Sequence, residues 1–273
     1  MKKLAQYFFA GLLAIISIAL LYAYLAYPAE YVNRVFRWGD AGVDDYQKFP
    51  EHPLETSGSP FAFAFNLDEN RIRSQFEAVS DIDDFDSFLA KNRTQAFIVI
   101  QDDAILYEQY FNGASRDSIV TSFSTAKSFA STLIGIAISE GYIHDVNDPI
   151  TDYLPELAER DPAFRNITIR DLLMMSSGIK YVEFPYVNGD DAKTYYYPDL
   201  RRLALEDTHI VGSPSEKFLY NNYHPLLLGL ILDAPPAHHQ PIIYRKKSGS
   251  RLAWNIPVRG VWMSMVLPRW RAV

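Results

Sequence analysis

Between Leu4 and Ala29 the chain carries no charged residue, and this run constrains the fold more than any other feature. Phe8, Phe9, Leu12, Leu13, Ile15, Ile16, Ile18, Leu20 and Leu21 fall inside it. A helix needs about 20 apolar residues to cross the hydrocarbon core of a bilayer, so the run is long enough to span. Tyr22, Tyr24 and Tyr27 gather at its far end, where interfacial aromatics are expected. A cleaved signal peptide is the competing reading, but its apolar region is normally shorter and ends in a small-x-small site. Leu25-Ala26-Tyr27 and Tyr27-Pro28-Ala29 are poor sites of that kind, which favours an uncleaved anchor over residues 1–29. Lys2 and Lys3 ahead of the run predict a cytoplasmic N-terminus, with the body of the protein on the periplasmic side of an inner membrane.

The rest of the chain has ample material for a core, since 48% of its 273 residues are hydrophobic. It has no cysteine, which excludes a disulfide framework and thiolate chemistry. A net charge of −7 argues against nucleic acid as a partner. The six histidines lack paired ligand spacing, so neither a metal nor any other cofactor is expected. Residues 30–80 contain scattered acids with Pro50, Pro53 and Pro60, and read as an irregular membrane-proximal linker that packs on the domain. Beyond it, Asp81 to Lys91 reads as a short helix, and Gln95–Gln101 with Ala104–Phe111 as a hairpin turning at Asp102-Asp103. Thr168 is an N-cap candidate with Asp171 three positions on, and Ser176-Ser177-Gly178 stops that helix. A second apolar helix begins near Tyr223 and continues through Leu226, Leu227, Leu228, Leu230 and Ile231.

Chemistry first enters at Ser124-Thr125-Ala126-Lys127, at the mouth of an apolar helix that ends near Gly141. Positions three apart share a helix face, so the Lys127 amine can reach the Ser124 hydroxyl and help take its proton. The apolar set Ala126, Phe129, Ala130, Leu133, Ile134, Ala137 and Ile138 wraps the helix, predicting burial beyond a first turn that faces a cleft. A serine N-cap with a surface lysine one turn later is the plainer account of the same residues. The second motif is Tyr220-Asn221-Asn222. A phenol whose pKa is lowered by a nearby ammonium can act as base and then as acid, and an asparagine two residues on can hold Lys127 or a substrate carbonyl. A structural turn is the alternative there.

Four ordered blocks resemble the serine β-lactamase and penicillin-binding-protein superfamily, in particular its class C-like branch, which includes 6-aminohexanoate-dimer hydrolases. They are Ser122–Phe129, Asp148–Glu156, Ile167–Gly178 and Phe218–Leu232. The resemblance implies an α/β fold of the transpeptidase type, an antiparallel sheet flanked by helices with a helical subdomain, placed here at 81–232. It implies Ser124 as acylated nucleophile, Lys127 as its activating amine, Tyr220 as acid/base and Asn222 as a polar substrate contact. The substrate would be a small amide or ester, a β-lactam among the options. The backbone N–H of Ser124 would form half of the oxyanion hole.

From Asp233 onward the pattern breaks. Residues 233–273 hold seven of the 26 basic residues, one of the 33 acids, and Trp254, Trp262 and Trp270. The family's third motif, a Lys- or His-led tripeptide ending in Gly on an edge strand, belongs far beyond Asn222, and Lys247-Ser248-Gly249 comes too early for it. The expectation is a tail translated out of frame, leaving the domain incomplete, poorly folding and inactive. Shifting the frame by one base makes Trp254–Asn255 encode Glu, Trp262–Met263 Asp and Met265–Val266 Gly, residues in keeping with the family. A membrane-anchored, non-catalytic binding or regulatory protein with a basic tail is the rival reading.

Overall fold

The computed structural model describes residues 2–49, 53–54, 61–80, 82–184, 187–234 and 258–259. They divide into two compact units, one built mainly from Met1–His52 and Ser122–Tyr244, the other mainly from Pro53–Thr121.

The smaller unit is a three-stranded sheet with two helices. Strands β1 (Ala64–Phe65), β2 (Ala96–Gln101) and β3 (Ala104–Tyr110) lie in the order β1-β3-β2, β1 parallel and β2 antiparallel to β3. The β2–β3 hairpin turns at Asp102 and Asp103, both at positive φ (50° and 57°), as a two-residue turn matched to strand twist requires. Helices α3 (Glu69–Ser80) and α4 (Phe85–Lys91) cover one face. Ile72, Phe85, Leu89, Leu106 and Tyr107 form the core between them. Phe76 stacks on Phe85 with centroids 4.7 Å apart, and Arg73 Nε donates to Asp86 Oδ2 at 3.0 Å.

The larger unit is helical and holds Ser124, Lys127, Tyr220 and Asn222. It begins with α1 (Lys2–Ala26), of which Ala23 alone is buried, and α2 (Ala29–Trp38), which turns back so that Tyr31, Val32 and Val35 are buried. Among the described residues α1 is the one helix long and apolar enough to cross a membrane, a property shared by anchors and signal sequences. Then come α5 (Ala126–Ser139), α6 (Pro155–Arg160), α7 (Ile169–Leu173), α8 (Asp190–Tyr196), α9 (Leu200–Glu206) and α10 (Tyr223–Asp233). α10 is buried from Tyr223 to Leu232, as its unbroken apolar run requires, and it packs on α5, α7 and α9. Each fully buried leucine there contributes about 1.5–3 kcal/mol.

Three expectations change. The described part of 30–80 is not irregular: it holds α2, α3 and β1, and Tyr31, Val35 and Ile72 pack against residues further along the chain. Helix α5 is buried on one side only. Ala130, Leu133, Ile134 and Ala137 are buried, whereas Phe129 and Gly135 are exposed, because small and polar residues (Ser128, Ser131, Thr132, Ser139) share their side. The sheet is mixed rather than antiparallel, since β1 joins it in parallel. The tail beyond Ala234, with its three tryptophans, lies outside the described residues apart from Val258–Arg259.

Candidate active site

Ser124 sits in a single 3-10 turn, Phe123–Thr125, that runs directly into α5. Phe123 takes a positive φ (45°) to enter that turn. Lys127, in the first turn of α5, donates from Nζ to Ser124 Oγ at 2.9 Å, the i,i+3 contact read from the spacing. Tyr220, 96 residues further on, approaches from the turn ahead of α10 and places its hydroxyl 2.7 Å from the same oxygen. The Lys127 ammonium also stands 4.8 Å from the centroid of the Tyr220 ring. One serine oxygen therefore receives two hydrogen bonds. All three side chains are open to solvent on one side, as a site for a soluble substrate needs.

The electrostatics at Tyr220 follow from this packing. Burial pushes its phenol up, but hydrogen bonding with Lys127 and Ser124 and the Lys127 charge outweigh it, so the phenol ends below its ordinary value. The neighbouring Tyr181 goes the other way, because burial dominates and Asp191 stands beside it. Tyr223 is raised in the same manner by burial and Asp190. A lowered phenol among raised ones marks Tyr220 as the tyrosine able to give up its proton.

Asn222 occupies the N-cap position of α10. Its Nδ2 donates to Tyr181 Oη at 2.8 Å and to Asp191 Oδ1 at 3.0 Å. Asp191 accepts only, so the amide must turn its NH₂ toward the carboxylate. That leaves Oδ1, an acceptor suited to an ammonium or an N–H group rather than to a substrate carbonyl. Among the described residues no hydrogen bond joins Asn222 to Ser124, Lys127 or Tyr220.

The turn at Ser176-Ser177-Gly178 holds the Tyr220 segment in place. Leu219 N donates to Met175 O (2.7 Å), Ser215 N to Ser176 O (2.7 Å) and Val211 N to Gly178 O (2.9 Å). Gly178 has φ +75°, and a Cβ there would lie 2.1 Å from Gly212 O, so only glycine lets the two chains cross this closely. Thr168 and Asp171 form the anticipated reciprocal cap of α7, and the Ser215 hydroxyl donates to the same Asp171.

Two positioning residues escaped the sequence reading. Asn221, fully buried, donates to Ile179 O at 3.1 Å and accepts from Tyr223 N at 2.8 Å, so it locks the turn that aims Tyr220. Ser177 bonds His224 Nε2 at 2.7 Å in the core. Burial drives the His224 pKa down to about 4, partly opposed by Asp171, so the ring is neutral near pH 7. Among the described residues no three His, Asp or Glu side chains gather as a metal site.

The model of the β-lactamase family matches residues 85–241. A 6-aminohexanoate-dimer hydrolase from Paenarthrobacter ureafaciens is 33% identical over 100 residues, covering 37% of this chain and 25% of that protein. A solved structure described as a 6-aminohexanoate-dimer hydrolase from Bacillus anthracis superposes with a TM-score of 0.60 at 21% identity, over 73% of this chain and 54% of that one. A class C β-lactamase structure gives a TM-score of 0.41 at 21% identity, over 61% and 45% of the two chains. The chain thus spans a quarter of the curated relative and about half of the solved one.

Proposed function

Since the chain belongs to the β-lactamase family, with its α/β fold and mostly helical content, we propose that it is a serine hydrolase acting on a small amide or ester through an acyl-Ser124 intermediate. The observation that carries this reading is the convergence of Lys127 Nζ and the Tyr220 hydroxyl on Ser124 Oγ. Tyr220, ionised beside Lys127, takes the Ser124 proton as Oγ attacks the substrate carbonyl carbon. The carbonyl oxygen gains the electron pair and is held by the Ser124 backbone N–H, in its expected role in the oxyanion hole. When the tetrahedral species collapses, Tyr220 returns the proton to the departing nitrogen or oxygen. Water then cleaves the acyl ester by the same relay and restores Ser124. Asn222 Oδ1 meets a polar hydrogen of the substrate or of Lys127. The relatives named for an aminohexanoate dimer make a short linear amide one candidate substrate and a β-lactam another.

The remaining features of the reading rest on sequence. The α1 run and the poor cleavage sites after it support an inner-membrane anchor with the catalytic unit in the periplasm. The charge change at Asp233 supports a tail read out of frame. On that account the 273-residue chain can still be acylated at Ser124, where Lys127 and Tyr220 converge, while full turnover would appear only once the frame is restored. Re-reading the gene through codons 228 to 240 tests this, and an uninterrupted frame would overturn it.

A fluorophosphonate probe tests the central claim. Labelling is expected at Ser124 and lost in Ser124→Ala. Labelling that persists in that variant would refute the assignment.

A further inference from the structure

Helix α8 has two faces with different duties. One holds the site: Asp191 Oδ1 accepts from Asn222 Nδ2 (3.0 Å) and from the Tyr181 hydroxyl (2.9 Å), and Asp190 Oδ1 accepts from the Tyr223 hydroxyl (3.0 Å). The other face is seated on the elbow between α1 and α2. Ala192 and Tyr196 share a buried cluster with Ala23, Tyr31, Val32 and Val35. Around that cluster, polar contacts tie the elbow to the same segment. The Tyr31 hydroxyl donates to Val187 O (2.6 Å) and the Tyr27 hydroxyl to Asn188 Oδ1 (2.9 Å). Tyr195 donates to Asp45 and Tyr196 to Gly39 O. Between the foot of α1 and the carboxylate that holds Asn222 lie this cluster and the helix α8 itself.

We propose that the α1–α2 elbow is a positioning element of the catalytic site, acting through α8 and Asp191 on the Asn222 amide. α8 has only seven residues, too few to hold a helix by itself, so its placement comes from the surfaces on either side. The site face offers it two carboxylate acceptors and the elbow face its apolar seat. Loosening the seat frees Asp191, and the amide it holds loses its orientation. The consequence belongs to substrate engagement rather than to bond-making at Ser124, because Lys127 and Tyr220 are held by α5 and by the 175–178 turn instead. This rests on the serine-hydrolase reading for its kinetic part alone.

The experiment uses the full chain in detergent micelles, with Val35→Asp and Tyr196→Phe at the seat and Phe36→Ser, on the exposed side of α2, as control. Hydrogen exchange is followed in α8, at Tyr223–His224 and in Leu226–Leu232, and fluorophosphonate inactivation is resolved into KI and kinact. Val35→Asp should speed exchange in α8 and at Tyr223–His224 while Leu226–Leu232 stays protected. It should raise KI roughly tenfold, the cost of one good hydrogen bond, with kinact within about twofold. Tyr196→Phe should give the same pattern more weakly, and Phe36→Ser none. Faster exchange in α8 with Tyr223–His224 and KI unchanged would overturn the proposal. If Val35→Asp exposes Leu226–Leu232 as well, Tyr196→Phe decides, and no response at Tyr223–His224 in that variant overturns it too. A wild-type chain that does not label at all refutes the hydrolase reading and leaves the exchange comparison to judge the elbow.

Discussion

The Tyr220 hydroxyl and Ser124 Oγ stand 2.7 Å apart although 96 residues of chain separate them. The two ends of the contact are fixed independently. Ser124 is fixed by the turn that starts α5, and Tyr220 by the backbone ladder from 175–178 and the buried Asn221. Lys127 Nζ bonds the same oxygen and stands 4.8 Å from the Tyr220 ring centroid, so the proposed proton acceptor is a phenol already lowered from its ordinary value.

Tyr220→Phe should therefore slow fluorophosphonate labelling of Ser124 by about 10²–10⁴-fold, the usual worth of a placed acid/base. In the unaltered protein the labelling rate should rise with pH and level off at an inflection below that of a free tyrosine, about 10. Rate–pH profiles of the two proteins check this. An identical inflection in Tyr220→Phe would remove the phenol from the mechanism.

His224 predicts a stability loss in mild acid. Its folded pKa of about 4 lies below the ordinary 6.5, so between those values the unfolded chain binds the extra proton and the folded one does not. Stability thus rises with pH across that window, is fully present above about 6.5, and is lost as pH falls toward 4. The size is about 2–3 kcal/mol. Urea titrations from pH 7 to 4.5 should show the slope in the parent protein and lose most of it in His224→Gln. The window lies above the range where the lowered carboxylates Asp45 and Asp148 titrate.

Gly178→Ala should destabilise the larger unit by about 2 kcal/mol or more. The added methyl meets the Gly212 carbonyl, and a side chain at φ +75° is strained in any case. The midpoint of urea unfolding reads the loss. Labelling at Ser124 should fall with it, because the crossing guides the segment that ends in Tyr220.

Thr168→Ala removes one half of the reciprocal cap on α7 and should cost about 1 kcal/mol, the usual value for a lost N-cap. The Ser124 labelling rate should change by less than twofold at temperatures where both proteins stay folded. A large kinetic effect would show that the Asp171–Ser215 link reaches further into the site than its geometry suggests.

Features set by neighbours in sequence were legible without coordinates. The Ser124–Lys127 contact needs only helical spacing, the Thr168–Asp171 cap only three residues, and the β2–β3 hairpin only its turn and flanking strands. Helix α10 declared itself through a run that has no polar side to offer water. What stayed hidden depends on distant partners. α2 is short and mixes charged with apolar residues, and its buried face makes sense only against α8, some 160 positions away. Asn221 and Asn222 look alike in the sequence. One is buried to fix the turn while the other holds Asp191, and no local rule separates them.

α2 begins at Ala29, just past the end of α1 at Ala26, and its inner face is packed against Ala192 and Tyr196 of α8. A body hung on a leash samples a wide hemisphere and forgets the orientation of its anchor. Here the joint is packed instead. Were α1 embedded in a bilayer, as proposed, a tilt at its foot would reach α8 through Ala23, Tyr31 and Val35. The thickness of the bilayer would then bear on how the Asp191 carboxylate meets Asn222.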